Sequence, residues 1–165
     1  MHAHKVKLVK EQANRLGLSI IEALVGDARN LSSIANGRQF DRILIDAPCS
    51  GLGVIRRKPD IKWTKTEDSV AQIAEVQQEI LTAVAPRLRK GGLLVYSTCT
   101  VDKAENEEII NAFLEKNEQF VLDRKMGERL PSELAEKGKA GMVTIFPHDY
   151  QTDGFFIACL KRKDD

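Results

Sequence analysis

Hydrophobic positions recur along this chain in two rhythms, one helical and one alternating or continuous as in strands. Val6, Val9, Ala13 and Leu16 fall at helical spacing, with lysines and a glutamate between them. This predicts a helix over residues 4–16, stopped by Gly17. A short β-branched strand is expected over 20–25, ending at Gly26-Asp27. A compact apolar strand over 42–45 then runs into Asp46-Ala47-Pro48-Cys49-Ser50-Gly51. Thr66 can cap a long helix whose face carries Val70, Ile73, Ala74, Gln77, Leu81, Val84 and Leu88. Gln77 is the polar exception on that face, Pro86 is expected to kink its last turn, and Gly91-Gly92 to stop it. A buried strand over 93–96 leads to Ser97-Thr98-Cys99-Thr100. Asp102 and Glu105 fit a capping box opening a helix through about Glu115. Phe120–Leu122, Met142–Ile145 and residues 155–160 read as three further strands, with loop or short helix over 124–141.

Strands alternating with amphipathic helices predict a mainly parallel, doubly wound α/β sheet, with an antiparallel edge from the closing strands. Ligands of such sheets bind at the carboxyl ends of the strands. The turns at Asp27, at Asp46–Gly51 and at Ser97–Thr100 all fall at such ends, so one shared site is expected.

Composition narrows the class. The 165 residues suit a single domain, and 42% hydrophobic with 30% charged residues is a globular balance. No apolar run is long enough to span a bilayer. Three widely spaced cysteines make neither a disulfide framework nor a CxxC pair, so a reducing, cytoplasmic location is expected. Net charge is only +1, with 25 basic against 24 acidic residues, so any nucleic-acid surface must be a local patch.

Two cysteines at strand ends are the sharpest chemical signal. Cys99 precedes the Asp102 cap, where a helix dipole would favour its thiolate. Cys49 follows a proline, which fixes the backbone without activating sulfur. Spacing alone leaves open that both are small buried hydrophobes. Asp46 can hydrogen-bond a ring nitrogen or amine of a base, or simply cap its turn. Asp27 can accept from an adenine amine, or end its strand. Arg56, Arg57 and Lys58, with Lys62 and Lys65 beyond, suit phosphate contacts, and Trp63 among them could stack on a base. A solvated loop would look the same. His2, His4 and His148 show no metal-ligand spacing, so no metal site is expected.

The segments Asp46-Ala47-Pro48-Cys49-Ser50-Gly51 and Tyr96-Ser97-Thr98-Cys99-Thr100 resemble the paired cysteine motifs of the Sun/Fmu family of RNA cytosine methyltransferases. Glu105-Asn106-Glu107, Phe146-Pro147-His148 and Thr152-Asp153-Gly154-Phe155-Phe156 also match that family's pattern. The resemblance runs from about His4 to Lys161. It implies a Rossmann-like S-adenosylmethionine-dependent methyltransferase sheet and 5-methylation of cytosine in small-subunit ribosomal RNA. By that resemblance Cys99 is the nucleophile, Cys49 assists release, Asp46 steadies the base, and Asp27 and Asp46 contact the cofactor. RNA contacts would come from Arg56, Arg57, Lys58, Trp63 and His148. A cytosine enzyme acting on DNA would instead use the Pro-Cys cysteine, Cys49, but Ser-Thr-Cys-Thr favours the RNA arrangement.

The family's glycine-rich cofactor loop and its first two sheet strands have no counterpart here. The expectation is therefore a fragment of a longer protein that binds the methyl donor poorly. Its unpaired edges would be covered by a rearranged sheet or a homodimer. Two other readings stand beside this one: a non-catalytic RNA-binding or interaction module, and a cysteine hydrolase pairing Cys99 with His148.

Overall fold

The computed structural model describes residues 3–164, with the side chains of residues 32 and 33 left aside; His2 lies outside these residues. Helix α1, Ala3–Arg15, forms where the apolar spacing predicts it, and Gly17 follows it with φ +69°. A short helix α2, Ser32–Ala35, precedes strand β1, Phe40–Asp46. Next come α3, Ile61–Thr64, and the long α4, Glu67–Val84, whose Thr66 cap and Ser69 exchange capping bonds. Strand β2, Leu88–Thr98, leads through a 3-10 turn, Lys103–Glu105, to α5, Glu107–Lys116. Strand β3, Phe120–Leu122, is followed by α6, Ser132–Gly138, then β4, Met142–Ile145. Helix α7, Pro147–Tyr150, precedes β5, Phe155–Arg162.

The sheet is Rossmann-like in its α/β layering, with order β1-β2-β5-β3 and β4 also paired to β5. Its C-terminal strands are antiparallel, as expected. The balance differs from the doubly wound expectation, because among the described residues β1 and β2 form the one parallel pair while β2, β3 and β4 all run antiparallel to β5. Strands β3 and β4 share the far edge of β5, against Leu160–Arg162 and Phe155–Ala158 respectively.

Strand β2 shows why the core is two-sided. Leu94, Tyr96 and Thr98 alternate toward the helices α4 and α5, where they are fully buried with Leu81, Ile110, Phe113 and Phe156. Burying a large apolar side chain contributes about 1.5–3 kcal/mol, so this layer dominates stability. Leu93 and Val95 face the other way, onto a smaller cluster of Met126, Val143 and Cys159.

Three sequence expectations need correction. Residues 20–25 form no strand, and Ile20 stands 91% exposed. Their β-branched pattern suits a strand, but a strand needs a neighbour to pair its backbone groups, and among the described residues none lies beside it. Strand β1 is accordingly an edge, with Leu44 70% exposed. The long helix stops at Val84 rather than Leu88, because Pro86 cannot supply the next helical hydrogen bond. Gly91-Gly92 therefore sit not at a helix end but at an irregularity inside β2, where the register moves from Phe40↔Leu88 to Arg42↔Leu93 and Gly91 takes φ +70°. Among the described residues no helix is long and apolar enough to cross a membrane.

Candidate active site

Parallel pairing of β1 and β2 sets Asp46 opposite Ser97. The ladder runs one residue further, with Ala47 N donating to the Ser97 carbonyl at 2.9 Å. Both chains then turn, and the turns deliver Cys49 and Cys99 to one point. Their Sγ atoms lie 3.1 Å apart, both free thiols and both half-buried. Burial, and then the hydrogen bond to Cys99, push the Cys49 thiol up to about 12. Cys49 therefore stays protonated at neutral pH.

The α-helix after Cys99 does not begin at Asp102. Asp102 caps only the 3-10 turn, through Ala104 N at 2.9 Å, and α5 starts at Glu107. The capping box fails because the Glu105 carboxylate turns inward, and a helix dipole at Cys99 loses its basis.

That inward carboxylate is the main residue missed in the sequence. Glu105 is fully buried and accepts from Ser50 N at 2.8 Å, Ser50 Oγ at 2.5 Å and Gln77 Nε2 at 3.1 Å. Gln77 Nε2 also donates to the Pro48 carbonyl at 2.8 Å. Ser50 Oγ lies 3.0 Å from Thr100 Oγ1. Thr98 donates to Asn106 Oδ1 at 2.6 Å, and Asn106 Nδ2 donates to the Thr100 carbonyl at 3.1 Å. A polar layer thus underlies both cysteine turns. The lone glutamine on the apolar face of α4 was its one visible signal.

Two glycines close the turns from outside. Gly53 N donates to the Cys99 carbonyl at 3.0 Å, and Gly154 N donates to the Gly53 carbonyl at 2.7 Å. A Cβ at Gly53 would run into the Gly154 and Cys99 carbonyls, which leaves only glycine there. The Gly51-Leu52-Gly53 run serves this close approach.

A cleft of about 1030 Å³ opens beside β1, lined by Asp27, Asp46, Pro48, Cys49, Cys99 and Ile80 among others. Asp46 is exposed at the end of β1, and its carboxylate makes no hydrogen bond or ion pair among the described residues. Asp27 caps a 3-10 turn through Arg29 N at 2.9 Å and pairs with the Arg29 guanidinium at 2.7 Å. These Arg29 hydrogen bonds hold its carboxyl down at about 2. Asp27 therefore both ends its segment and faces the cleft.

The basic residues are not gathered there. Arg56 donates to the Gln151 carbonyl at 2.7 Å, and Arg57 pairs with Asp153, so both brace the loop before β5. Lys58 is exposed. Trp63 stands 80% exposed with Lys62 Nζ 5.7 Å from its ring centroid. His148, on α7, stacks on Phe146 with ring centroids 5.5 Å apart.

Residues 1–161 match the family model described as 16S rRNA methyltransferase RsmB/F. The chain is 52% identical over 163 residues to a probable ribosomal RNA small subunit methyltransferase B of Bacillus subtilis (strain 168), covering 99% of this chain and 36% of that protein. It is 42% identical over 159 residues to the ribosomal RNA small subunit methyltransferase B of Vibrio cholerae, covering 96% and 34%. The chain thus spans about a third of the length of these relatives. Among solved structures, NSun6 from Pyrococcus horikoshii with SFG superposes with a TM-score of 0.80 at 32% identity, over 99% of this chain and 40% of that one. A methyltransferase homolog protein from the same organism gives 0.76 at 28% identity, over 98% and 51%. With its two cysteine turns at adjacent strand ends and this match along nearly its whole length, the chain belongs to the RsmB/F family of 16S rRNA methyltransferases.

Proposed function

We propose that this chain forms the reacting part of an enzyme that methylates carbon 5 of cytosine in small-subunit ribosomal RNA. The observation that carries the reading is the pair of free thiols, 3.1 Å apart, in one cleft with the unpaired Asp46 carboxylate. Carbon 5 of cytosine is a poor nucleophile until a group adds to carbon 6. The Cys99 sulfur makes that bond as its thiol proton passes to the ring nitrogen, where Asp46 accepts it in a hydrogen bond. The resulting enamine carbon then takes a methyl group.

S-adenosylmethionine, which supplies an electrophilic methyl on a sulfonium, fits the donor set of the cleft. Asp27 and Asp46 offer carboxylates for its amine groups, and Pro48 and Ile80 an apolar wall. The relative solved with SFG, an analogue of that cofactor, supports the choice. Release requires loss of the carbon-5 and ring-nitrogen protons to solvent and cleavage of the carbon 6–sulfur bond. Cys49, protonated at neutral pH, donates a hydrogen bond to the departing Cys99 thiolate. The target base must be unpaired or extruded, as RNA loops allow. Arg56, Arg57, Lys58, Trp63 and His148 are the proposed RNA contacts.

The test is covalent trapping in full-length protein. Cys49→Ala should accumulate an RNA adduct that survives denaturing electrophoresis, and Cys99→Ser should abolish both adduct and transfer. Salt-sensitive RNA binding with no adduct in any variant would replace this reading by a non-catalytic RNA-binding module.

A further inference from the structure

We propose that Glu105 is a positioning residue that sets the approach of Cys49 to Cys99, an inference that rests on reading those thiols as the reacting groups. Glu105 is fully buried, and it makes no ion pair among the described residues. A carboxylate is costly to bury, and one held only by neutral donors serves best where several donors must be brought to one point. Its hydrogen bonds reach both flanks of Cys49, directly from Ser50 and by way of Gln77 on α4 to Pro48. Ser50 gives it an N–H at 2.8 Å and a hydroxyl at 2.5 Å, while Gln77 links it to the Pro48 carbonyl. The turn around Cys49 is thus fixed on either side by one hub.

The same hub reaches Cys99. Because the Ser50 hydroxyl donates to Glu105, the 3.0 Å contact with Thr100 Oγ1 must have Thr100 as donor. Thr100 follows Cys99 directly. From the other side, Tyr96 OH donates to the Glu105 carbonyl at 2.8 Å, which anchors the 3-10 turn under β2. One residue therefore fastens the turn carrying Cys49 to the strand end carrying Cys99. It touches neither sulfur, and it acts through Ser50, Gln77, Thr100 and Tyr96.

The rate of disulfide trapping reads this geometry directly. Diamide takes two electrons and two protons from a pair of thiols within reach, forming a disulfide and a hydrazine. In full-length protein, Cys49 and Cys99 should cross-link rapidly, scored by peptide mass spectrometry. In Glu105→Gln, an amide N–H₂ faces a donor that needs an acceptor. Cross-linking should slow about tenfold, kcat for methyl transfer should fall by a similar factor, and KM for RNA should stay within about twofold. Ser50→Ala keeps the backbone donor and should slow cross-linking about threefold.

A folded Glu105→Gln protein that cross-links within about twofold of wild type overturns the positioning role, whatever its activity. If that variant does not fold, Ser50→Ala decides by the same criterion. Slowed cross-linking in a protein whose wild type transfers no methyl group would uphold Glu105 and remove the catalytic reading of the thiols.

Discussion

Cys49 and Cys99 are separated by 50 residues in the chain and by 3.1 Å at their sulfurs. The relationship follows from strand pairing. Parallel neighbours β1 and β2 end together at Asp46 and Ser97, and each turn places a cysteine within three residues of that end. The glycine contacts above and the polar layer below leave these turns little freedom.

The protonation of Cys49 makes the stability of the chain pH-dependent in alkali. Burial raises the folded value to about 12, whereas an unfolded thiol ionises near 8.5. A group raised on folding lends stability that is complete below the unfolded value and lost as pH rises through the folded one. Urea midpoints measured from pH 7 upward should therefore fall more steeply above about pH 9 for wild type than for Cys49→Ala. Parallel curves would show that the thiol is not shifted.

Asp123 has the opposite sign. Burial is the largest influence and would raise its carboxyl, but the Arg129 guanidinium at 2.6 Å and the Lys125 backbone N–H together outweigh it and hold the carboxyl below the usual range. Its contribution is present above the unfolded value near 3.9 and disappears as pH falls through the lower folded one. Arg129→Ala should cost about 1–3 kcal/mol near neutrality, and less in acid. Denaturation at pH 7 and pH 3 checks both statements.

Gly53→Ala should destabilise by about 1–3 kcal/mol, because the new methyl meets the backbone carbonyl oxygens of Gly154 and Cys99, two residues hydrogen-bonded to Gly53 itself. Gly37→Ala is the matched control for a glycine with open space around it, and it carries only the strain of φ +76°. A calorimetric scan in which the two variants melt alike would contradict the close-approach argument.

Phe113 is fully buried on α5 and meets Phe120 edge-on at 5.2 Å between ring centroids. Phe113→Ala should cost about 3–5 kcal/mol, a large share of a domain's margin. Equilibrium unfolding would register it as a shifted midpoint. A change under about 1 kcal/mol would mean that the core re-forms around the gap.

Leu44 stands out on an unpaired edge, and edges of this kind pair with other chains. Sedimentation velocity of this chain should show concentration-dependent dimers, and Leu44→Lys should shift the population toward monomer. Wild type that stays monomeric at high concentration would show the edge to be protected.

Much of this arrangement can be read from the residues. The cysteine turns declare themselves as short polar runs after apolar strands, and the Thr66 cap of α4 forms as its residue type suggests. Other features depend on partners that no local pattern encodes. Residues 20–25 have strand-like side chains, but a strand exists only in a ladder. Asp102 and Glu105 fit a capping box by spacing, and that spacing cannot tell a carboxylate reaching back to a backbone N–H from one turned into the core. Gln77 looked anomalous on an apolar face, and its anomaly was the signal of the buried layer. Arg56 and Arg57 look like free phosphate ligands in sequence, yet both brace the loop before β5.

The contact between Gly53 and Gly154 has a mechanical consequence. Cys99, Gly53 and Gly154 form a chain of backbone hydrogen bonds, and Arg56 and Arg57 clamp the same two loops a few residues away. The two cysteine turns are therefore backed by one stiff bracket rather than by two independent flaps. Anything that prises up the loop after Cys49 must drag the start of β5 with it, and strand β5 pairs with three of the other four strands. Local opening at this bracket thus draws on the rigidity of the whole sheet.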